Sequence, residues 1–352
     1  MRGKDTLLAL LMPGLALAAW YMVSQSGLIP VYLCPHRGVL LFVLVLFLTI
    51  FSFGPAQLQA EELKVGTWKT AQTIQPFFYQ DFLEKTETVS VLSFTNPADQ
   101  KTALLAGSLD MTGTTLAHAI QSAAMGQPVV VVAALCNKSS ALVVRKDGPI
   151  RTVADLKGRK IGYVPGTMHE ILLRETLQRN GLSPQSDVTL VRVDFFDMGT
   201  ALAKGAIDAF LSGEPFPTQA VDQGFGKILS YPYYGESVGT INAGMLVTRT
   251  MIEKNPAAVQ KLVNAHARAT EYLNNNRQRW LERAETFGTP LRILEQAAPN
   301  MQLAWAMDDD FIRKAKTLGE RMQALGVIDR QPDYEALFDL QFVKKVTLEK
   351  AL

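Results

Sequence analysis

The most informative run of hydrophobic and polar positions in this chain spans residues 158–182, GRKIGYVPGTMHEILLRETLQRNGL. Its β-branched and aromatic residues at 160–164 predict a buried strand. A Pro-Gly turn follows, and the hydroxyl of Thr167 is suited to accept a backbone N–H at the start of a helix. Apolar residues then recur near helical spacing up to the stop signal Asn180-Gly181. The pattern predicts a strand, a turn and a helix.

A second pattern, T-A-L-x-x-G-x-(L/I)-D, occurs at residues 102–110 and again at 200–208. Each copy describes a helix end, a glycine after the helix and an entering strand. Each also follows a similar strand start, at 64–67 in the first copy and 160–163 in the second. Three elements repeated in the same order predict two α/β lobes of similar construction.

The order of predicted elements divides the chain after residue 60. We expect lobe 1 to comprise 61–146 and 241–352, with strands at 129–134 and 141–144, and lobe 2 to comprise 147–240. Residues 241–248 have the pattern of a strand that returns to lobe 1, and the chain is largely helical from 254 onward. Two crossings between lobes predict a hinge, with a ligand in the cleft at the C-terminal ends of the strands.

Residues 1–60 form a hydrophobic leader with apolar stretches at 7–23 and 39–53. The second stretch follows His36-Arg37 and precedes Ala60, which is typical of a secretory signal cleaved after Ala60. If it is retained, the same stretch predicts a membrane anchor. The leader carries the whole formal charge of +2, and no basic run indicates a nucleic-acid partner.

Residues that carry chemistry are sparse. Cys34 lies in the leader and Cys136 in the body, so no disulfide framework is expected, and a lone cysteine is typical of a small buried hydrophobe. No HExxH, GxSxG or P-loop motif occurs, and no His/Cys/Asp set has metal-ligand spacing. We therefore predict no enzyme activity, no cofactor and no metal.

Several motifs together resemble the substrate-binding proteins of ABC importers in the nitrate/sulfonate/taurine (NitT/TauT, NMT1/THI5-like) group. The resemblance covers about residues 62–342. Its carriers are AGSLD at 106–110 with GTT at 113–115, TVADLKG at 152–158 with GTMH at 166–169, the segment 201–208, GEPF at 213–216 and Asn255-Pro256. The resemblance implies an α/β, two-lobed periplasmic-binding-protein type II fold behind the N-terminal hydrophobic leader.

The function that the resemblance implies is a periplasmic receptor that closes on one small, anionic solute, similar to a sulfonate, taurine or nitrate. It would deliver this solute to an ABC permease in the inner membrane and act as a monomer, in the periplasm or anchored to the inner membrane by the leader. Two alternatives stay open: a binder of a pyrimidine-type vitamin precursor and a membrane-tethered ligand-sensing domain. The pyrimidine-synthesising branch carries a cysteine-rich motif that this chain lacks.

Part of the leader has a resemblance of its own. Residues 12–35 resemble the opening of an inner-membrane permease, so residues 1–38 are expected to be a fused permease remnant or a misassigned start. A plain two-helix membrane anchor is the alternative.

In the first lobe, Trp68 and Lys69 follow the first strand, where the family places ligand contacts. An aromatic ring and a cation suit an anionic or planar solute, although packing of Trp68 beside a solvated lysine is the alternative. Gly113, Thr114 and Thr115 open the next helix and offer hydroxyl and N–H groups.

In the second lobe, the turn of Gly166, Thr167, Met168 and His169 is the counterpart and is expected to face 113–115 across the cleft. Glu214 either contacts an amine or hydroxyl of the solute or caps the helix that follows. The candidate list is completed by Phe216, Asn242 and Asn137, whereas His118 and His266 are expected to be structural.

Overall fold

The structure is a computed structural model that describes residues 62–95, 97–232 and 238–351. These residues belong to one compact unit, Ala60–Leu352. The expectations for the leader, its cleavage after Ala60 and its permease-like segment lie outside the described residues. Within the described ranges, no helix combines the length and the apolar character needed to cross a membrane.

Two sheets organise the described chain. The strands are β1 (Glu62–Trp68), β2 (Thr88–Phe94), β3 (Met111–Thr115), β4 (Val129–Lys138), β5 (Ser140–Arg145), β6 (Lys160–Tyr163), β7 (Thr189–Arg192), β8 (Ala209–Gly213), β9 (Gly226–Ser230), β10 (Ile241–Thr248) and β11 (Met301–Leu303). The first sheet has the order β11-β4-β10-β3-β1-β2, and the second has the order β7-β6-β8-β5-β9.

The two sheets share one plan of pairing. In the first, β1 lies parallel between β2 and β3, and β10 returns antiparallel beside β3. In the second, β6 lies parallel between β7 and β8, and β5 returns antiparallel beside β8. The prediction of two α/β lobes of similar construction is therefore confirmed.

The helices connect the strands and cover the sheets. They are α1 (Pro97–Leu105), α2 (Leu116–Ala124), α3 (Met168–Arg179), α4 (Met198–Ala203), α5 (Phe216–Asp222), α6 (Arg249–Lys254), α7 (Pro256–Asn275), α8 (Arg277–Glu285), α9 (Leu291–Ala297), α10 (Asp309–Ala324), α11 (Tyr334–Leu337) and α12 (Gln341–Ala351). The predicted returning strand at 241–248 and the helical character of the chain beyond 254 are both confirmed.

The strand at 141–144 was expected in the first lobe, and this expectation is wrong. Strand β5 pairs with β8 and β9, so it belongs to the second sheet. The chain leaves the first sheet between β4 and β5, where Lys138 and Ser139 have φ angles of 61° and 82°. Because non-glycine residues rarely adopt positive φ, two in succession mark a sharp break in strand direction. The other lobe boundaries stay a prediction.

Strand β5 also shows how the second lobe is filled. Val143 packs with Phe210 and Met198 in one apolar cluster, whereas Leu142 and Val144 belong to the large cluster that continues into the first lobe. This alternation follows from the two-residue period of a strand. Both faces of β5 are therefore buried, which explains its continuous run of apolar residues.

Candidate functional site

A closed cavity of about 10 Å³ lies where the two lobes meet. Its lining comes from Trp68, Thr70, Gln72, Thr115, Cys136, Asn242 and Ala243 on the first lobe and from His169, Phe195, Gly213 and Phe216 on the second. A space of this volume holds about one water molecule. A larger solute therefore needs the lobes to part, or the lining side chains to move, before it can enter.

The fold brings these residues together because parallel strands end at the same edge of a sheet. Trp68, Thr115 and Gly213 are the last residues of β1, β3 and β8. His169 lies in the first turn of α3, directly after β6. The cavity therefore lies at the C-terminal ends of strands from both sheets, where α/β folds place their ligand sites.

Aromatic side chains form much of its wall. The ring of Phe195 lies 6.2 Å from that of Trp68 and 5.6 Å from the imidazole of His169, measured between centroids. Phe216 packs edge-on against Phe196 at 5.1 Å. Rings from both lobes thus contact each other across the cavity, and this geometry suits a planar or apolar group between them.

The polar groups at the cavity are neutral. Among the residues that the structure describes, the lining contains no lysine, arginine, aspartate or glutamate. Within the described part of the chain, the buried indole N–H of Trp68 and the buried Oε1 of Gln72 have no hydrogen-bond partner. An unpaired buried polar group costs about 1–3 kcal/mol, so a ligand that pairs with these atoms gains affinity.

His169 is fixed and uncharged. Its Nδ1 lies 2.8 Å from Ser140 Oγ, in a hydrogen bond whose direction depends on the tautomer. Burial lowers the pKa of His169 to about 3, so the imidazole is neutral at physiological pH. Its Nε2 lies 3.0 Å from the position that a Cβ on Gly213 would take. Glycine at 213 therefore lets the imidazole approach the end of β8.

One hydrogen bond joins the two helix-opening turns across the cleft. Thr115 Oγ1 donates to the carbonyl of Gly166 at 3.4 Å. The prediction that the turn 166–169 faces 113–115 is therefore confirmed. Both turns are also built alike, because Thr115 accepts the N–H of His118 and Thr167 accepts the N–H of Glu170, each at 3.4 Å.

Five of the predicted site residues line the cavity: Trp68, Thr115, His169, Phe216 and Asn242. Most of the others point elsewhere. Thr167 is fully buried as a helix cap, Met168 packs in the core, and a Cβ on Gly113 would lie 2.6 Å from Leu135. The remaining ones are Thr114, which is buried, Gly166, which borders a separate groove, Asn137, which lies in β4, and Lys69, which is exposed. Solute contact by these residues stays a prediction.

Glu214 takes a structural position behind the cavity. Its carboxylate accepts the N–H of Thr218 in α5 and the Nδ2–H of Asn300, each at 3.2 Å. Its backbone N–H donates to Ser139 at the crossing between the sheets. Burial raises the pKa of Glu214 to about 7, and the hydrogen bonds from Thr218 and Asn300 oppose this rise. These contacts of Glu214 fit the second of its two expected roles, which is to cap the helix that follows.

Sequence reasoning missed six cavity residues that the fold supplies: Thr70, Gln72, Cys136, Phe195, Gly213 and Ala243. Gln72 and Phe195 lie in short 3₁₀ turns, Ala71–Thr73 and Phe195–Asp197, which follow strands and have no regular period. A signal existed only for Gly213, a glycine at the end of a predicted strand, because such a position often marks close approach of another group.

Comparison with known proteins adds a family match. The sequence model of the NMT1/THI5-like family matches residues 86–279. An aliphatic sulfonates-binding protein of Escherichia coli is 27% identical over 265 residues, which cover 73% of this chain and 82% of that protein.

Two further relatives match over shorter segments. A nitrate/nitrite binding protein of Nostoc is 29% identical, and the match covers 40% of this chain and 30% of that protein. A 4-amino-5-hydroxymethyl-2-methylpyrimidine phosphate synthase of Schizosaccharomyces pombe is 34% identical over 34% of each chain. The chain thus spans about a third of the length of these two relatives.

Solved structures share the fold. The ligand-binding component of an ABC-type import system from Staphylococcus aureus has a TM-score of 0.72 at 15% identity, covering 81% of this chain and 98% of the other. The periplasmic aliphatic sulphonate binding protein SsuA of Escherichia coli has a TM-score of 0.65 at 22% identity, and the match covers 78% of this chain and 96% of that protein. The desulfurization enzyme DSZB has a TM-score of 0.64 at 17% identity, and the match covers 82% of this chain and 99% of that protein. At these identities the likeness establishes the two-lobed α/β fold.

Proposed function

Because this chain belongs to the NMT1/THI5-like family, we propose that it is a periplasmic solute receptor of an ABC importer. It captures a small organic oxyanion of the sulfonate class between its lobes and passes it to a permease in the inner membrane. We propose that it works as a monomer. The relative with the longest match reported above, an aliphatic sulfonates-binding protein, supports this solute class.

The observation that carries the proposal is the indole N–H of Trp68 at the closed cavity, which has no hydrogen-bond partner among the described residues. Trp68 comes from the first lobe, and the neutral His169 faces it from the second, with Phe195 between them. An oxyanion with several acceptor oxygens can accept hydrogen bonds from both lobes at once. Lobe closure and solute binding are then one event.

An organic sulfonate fits the lining better than a bare inorganic ion. The aromatic wall of Trp68, Phe195 and Phe216 offers apolar surface to a carbon group attached to the anionic head. Glu214 is held by Thr218 and Asn300 and does not line the cavity, so it places no carboxylate against the anion. The solute therefore needs no amine to balance that residue.

The lining argues against an enzyme reaction, although some relatives are named as enzymes. Cys136 is the cysteine at the cavity, and burial raises the pKa of its thiol to about 12. A thiol attacks as the thiolate, so a protonated thiol is a poor nucleophile. His169 bonds to Ser140 rather than to this thiol. We therefore propose binding without turnover.

A thermal-unfolding screen of the full chain tests the proposal, with ethanesulfonate, taurine, nitrate and bicarbonate as solutes. We expect ethanesulfonate to raise the midpoint, because a ligand at 100 times its Kd stabilises the folded state by about 2.7 kcal/mol. The variant Trp68→Phe removes the unpartnered N–H and should abolish this rise.

Trp280→Phe is the matched control. The indole N–H of Trp280 already donates to the Ala71 carbonyl at 2.7 Å, so its loss should lower the midpoint but preserve the ethanesulfonate effect. Absence of stabilisation by every solute, or an equal rise in Trp68→Phe, contradicts the proposal.

A second candidate follows from the same aromatic wall. Aromatic rings that line a cavity also suit a planar pyrimidine, and a pyrimidine phosphate synthase is among the relatives. With 4-amino-5-hydroxymethyl-2-methylpyrimidine added to the screen, stabilisation by this compound and not by ethanesulfonate would favour this candidate.

A further inference from the structure

A groove of about 490 Å³, open to solvent, lies beside the contact between Thr115 and Gly166. Its walls come from α1 and α2 of the first lobe, from the β6–α3 turn, α3 and the end of β7 in the second, and from the segment after α10. The groove does not share a lining residue with the closed cavity. A ligand in it would contact both lobes.

The groove carries surplus positive charge. Its lining includes three cations, Lys101, Arg174 and Arg192, against one carboxylate, that of Glu170. Glu170 is already used, because Oε1 accepts from Arg174 and Oε2 accepts the Gly166 N–H, at 2.8 and 2.7 Å. The side chains of Lys101 and Arg192 have no ion pair or hydrogen bond with any residue that the structure describes. Two positive charges thus remain for a ligand.

A buried polar atom also lies at this groove. His118 is 6% exposed, and its Nδ1 has no hydrogen-bond partner among the described residues. Burial, and then the charge of Lys101, lower the pKa of His118 to about 4, so the ring is neutral. Burial also lowers the pKa of Lys101. A half-buried cation and a buried imidazole that is unpaired among the described residues are both stabilised by an oxyanion that contacts them.

We propose that this groove is a second binding site, which takes a small dianionic oxyanion of the phosphate class, with Lys101 and Arg192 as its counter-ions and His118 as a hydrogen-bonding partner. The site is chemically different from the closed cavity, whose lining is uncharged. Its volume lies in the usual range for small-molecule sites. Because the walls belong to both lobes, the bound dianion favours the arrangement in which the lobes are closed.

Titration calorimetry of the full chain with inorganic phosphate, at pH 7.5 and low ionic strength, tests this site. We expect saturable binding that weakens roughly tenfold in Lys101→Gln and in Arg192→Gln, since each removes one charge-assisted contact. Lys204→Gln is the control, because Lys204 lines a different groove on the second lobe. It should bind phosphate as the unmodified chain does.

Trp68→Phe separates this site from the solute cavity. Phosphate affinity unchanged in Trp68→Phe supports the second site, whatever solute the cavity takes. Phosphate binding lost in Trp68→Phe would move the anion to the closed cavity and overturn the proposal. The absence of saturable binding, or equal affinity in Lys101→Gln and Arg192→Gln, overturns it as well.

Discussion

Asp110 holds Lys64 by two hydrogen bonds: its backbone N–H donates to the Lys64 carbonyl at 2.8 Å, and its carboxylate accepts the Lys64 N–H at 2.7 Å. The second lobe repeats the arrangement. Asp208 donates to the Lys160 carbonyl at 2.7 Å and accepts the Lys160 N–H at 3.0 Å. The last residue of the repeated nine-residue pattern therefore ties the start of β1 to β3 in the first sheet and the start of β6 to β8 in the second.

The glycine in each copy of the pattern has a local role. Gly107 and Gly205 both have φ angles of 72°, a conformation that glycine adopts without strain. The following residue then bonds back to the helix, Ser108 to Ala103 and Ala206 to Ala201, each at 2.9 Å. The repeated order of helix end, glycine and aspartate in this chain thus has a hydrogen-bonding reason in both lobes.

Asp110→Ala removes the carboxylate that accepts the Lys64 N–H. We expect the free energy of unfolding to fall by about 1 kcal/mol, since this hydrogen bond is exposed and its partners can bond to water. Asp208→Ala should cost a similar amount. Urea unfolding followed by circular dichroism measures both, with the exposed turn residue Asp147→Ala as control. A loss no larger than that of the control would show that the contact contributes nothing.

The repeat was predictable because helix stops and strand entries are local. The hydroxyl of Thr167, the positive φ of Gly181 and the strand that precedes them all follow from short-range chemistry. The choice of sheet is different. Apolar residues at 141–144 fit a buried strand in either lobe, and only the backbone at Lys138 and Ser139 directs β5 to the second sheet.

The site was predictable only in part for a related reason. The sequence pattern located the C-terminal ends of β1 and β3, and Trp68 and Thr115 at these ends do line the cavity. Which side chain of a turn faces inward depends on tertiary packing, so the cavity receives His169 while Met168 enters the core. Gln72 reaches the cavity from an irregular turn that has no period to recognise.

Gly213→Ala should close the site to solute. The new Cβ would lie 2.8 Å from Gln72 Nε2 and 3.0 Å from His169 Nε2, closer than ordinary contacts. The fixed His169 has little freedom to retreat, so we expect solute affinity to fall at least about tenfold. Calorimetry with the solute identified by the thermal screen measures this effect.

Gly199→Ala is the matched control for that substitution. Its Cβ would meet Phe225 at 3.5 Å, an ordinary contact, and position 199 lies in helix α4. Stability should stay equal or rise by up to about 1 kcal/mol, because alanine favours a helix over glycine, and affinity should not change. Equal affinities for Gly213→Ala and Gly199→Ala would contradict the role of Gly213.

Thr115→Val and Thr167→Val form a second matched pair. Both remove a hydroxyl that caps a helix, so each should lower the free energy of unfolding by about 1 kcal/mol. Only Thr115 lines the cavity and bonds across the cleft to Gly166. We therefore expect solute affinity to fall in Thr115→Val alone. Comparable losses of affinity in both variants would restore Thr167 as a solute contact.

The pKa of Glu214 predicts how stability depends on pH. The folded-state value of about 7 lies above the ordinary 4.5, because burial disfavours the carboxylate. Between these values the folded state binds a proton that the unfolded state has lost. The free energy of unfolding attributable to Glu214 therefore falls as pH rises through this window, by on the order of 3 kcal/mol.

Glu214→Gln should remove this dependence, since the amide cannot ionise. We expect the stability of Glu214→Gln relative to the unmodified chain to increase between pH 4.5 and pH 7 and to stay constant beyond. The buried histidines titrate alike in both chains, so their contributions cancel in the difference. Urea unfolding at half-unit pH steps measures this difference in stability.

Asn300→Ala removes a hydrogen bond that lowers the pKa of Glu214, so the pH range over which stability falls should extend above pH 7. A difference that does not vary with pH would show that the fold leaves the pKa of Glu214 at its ordinary value.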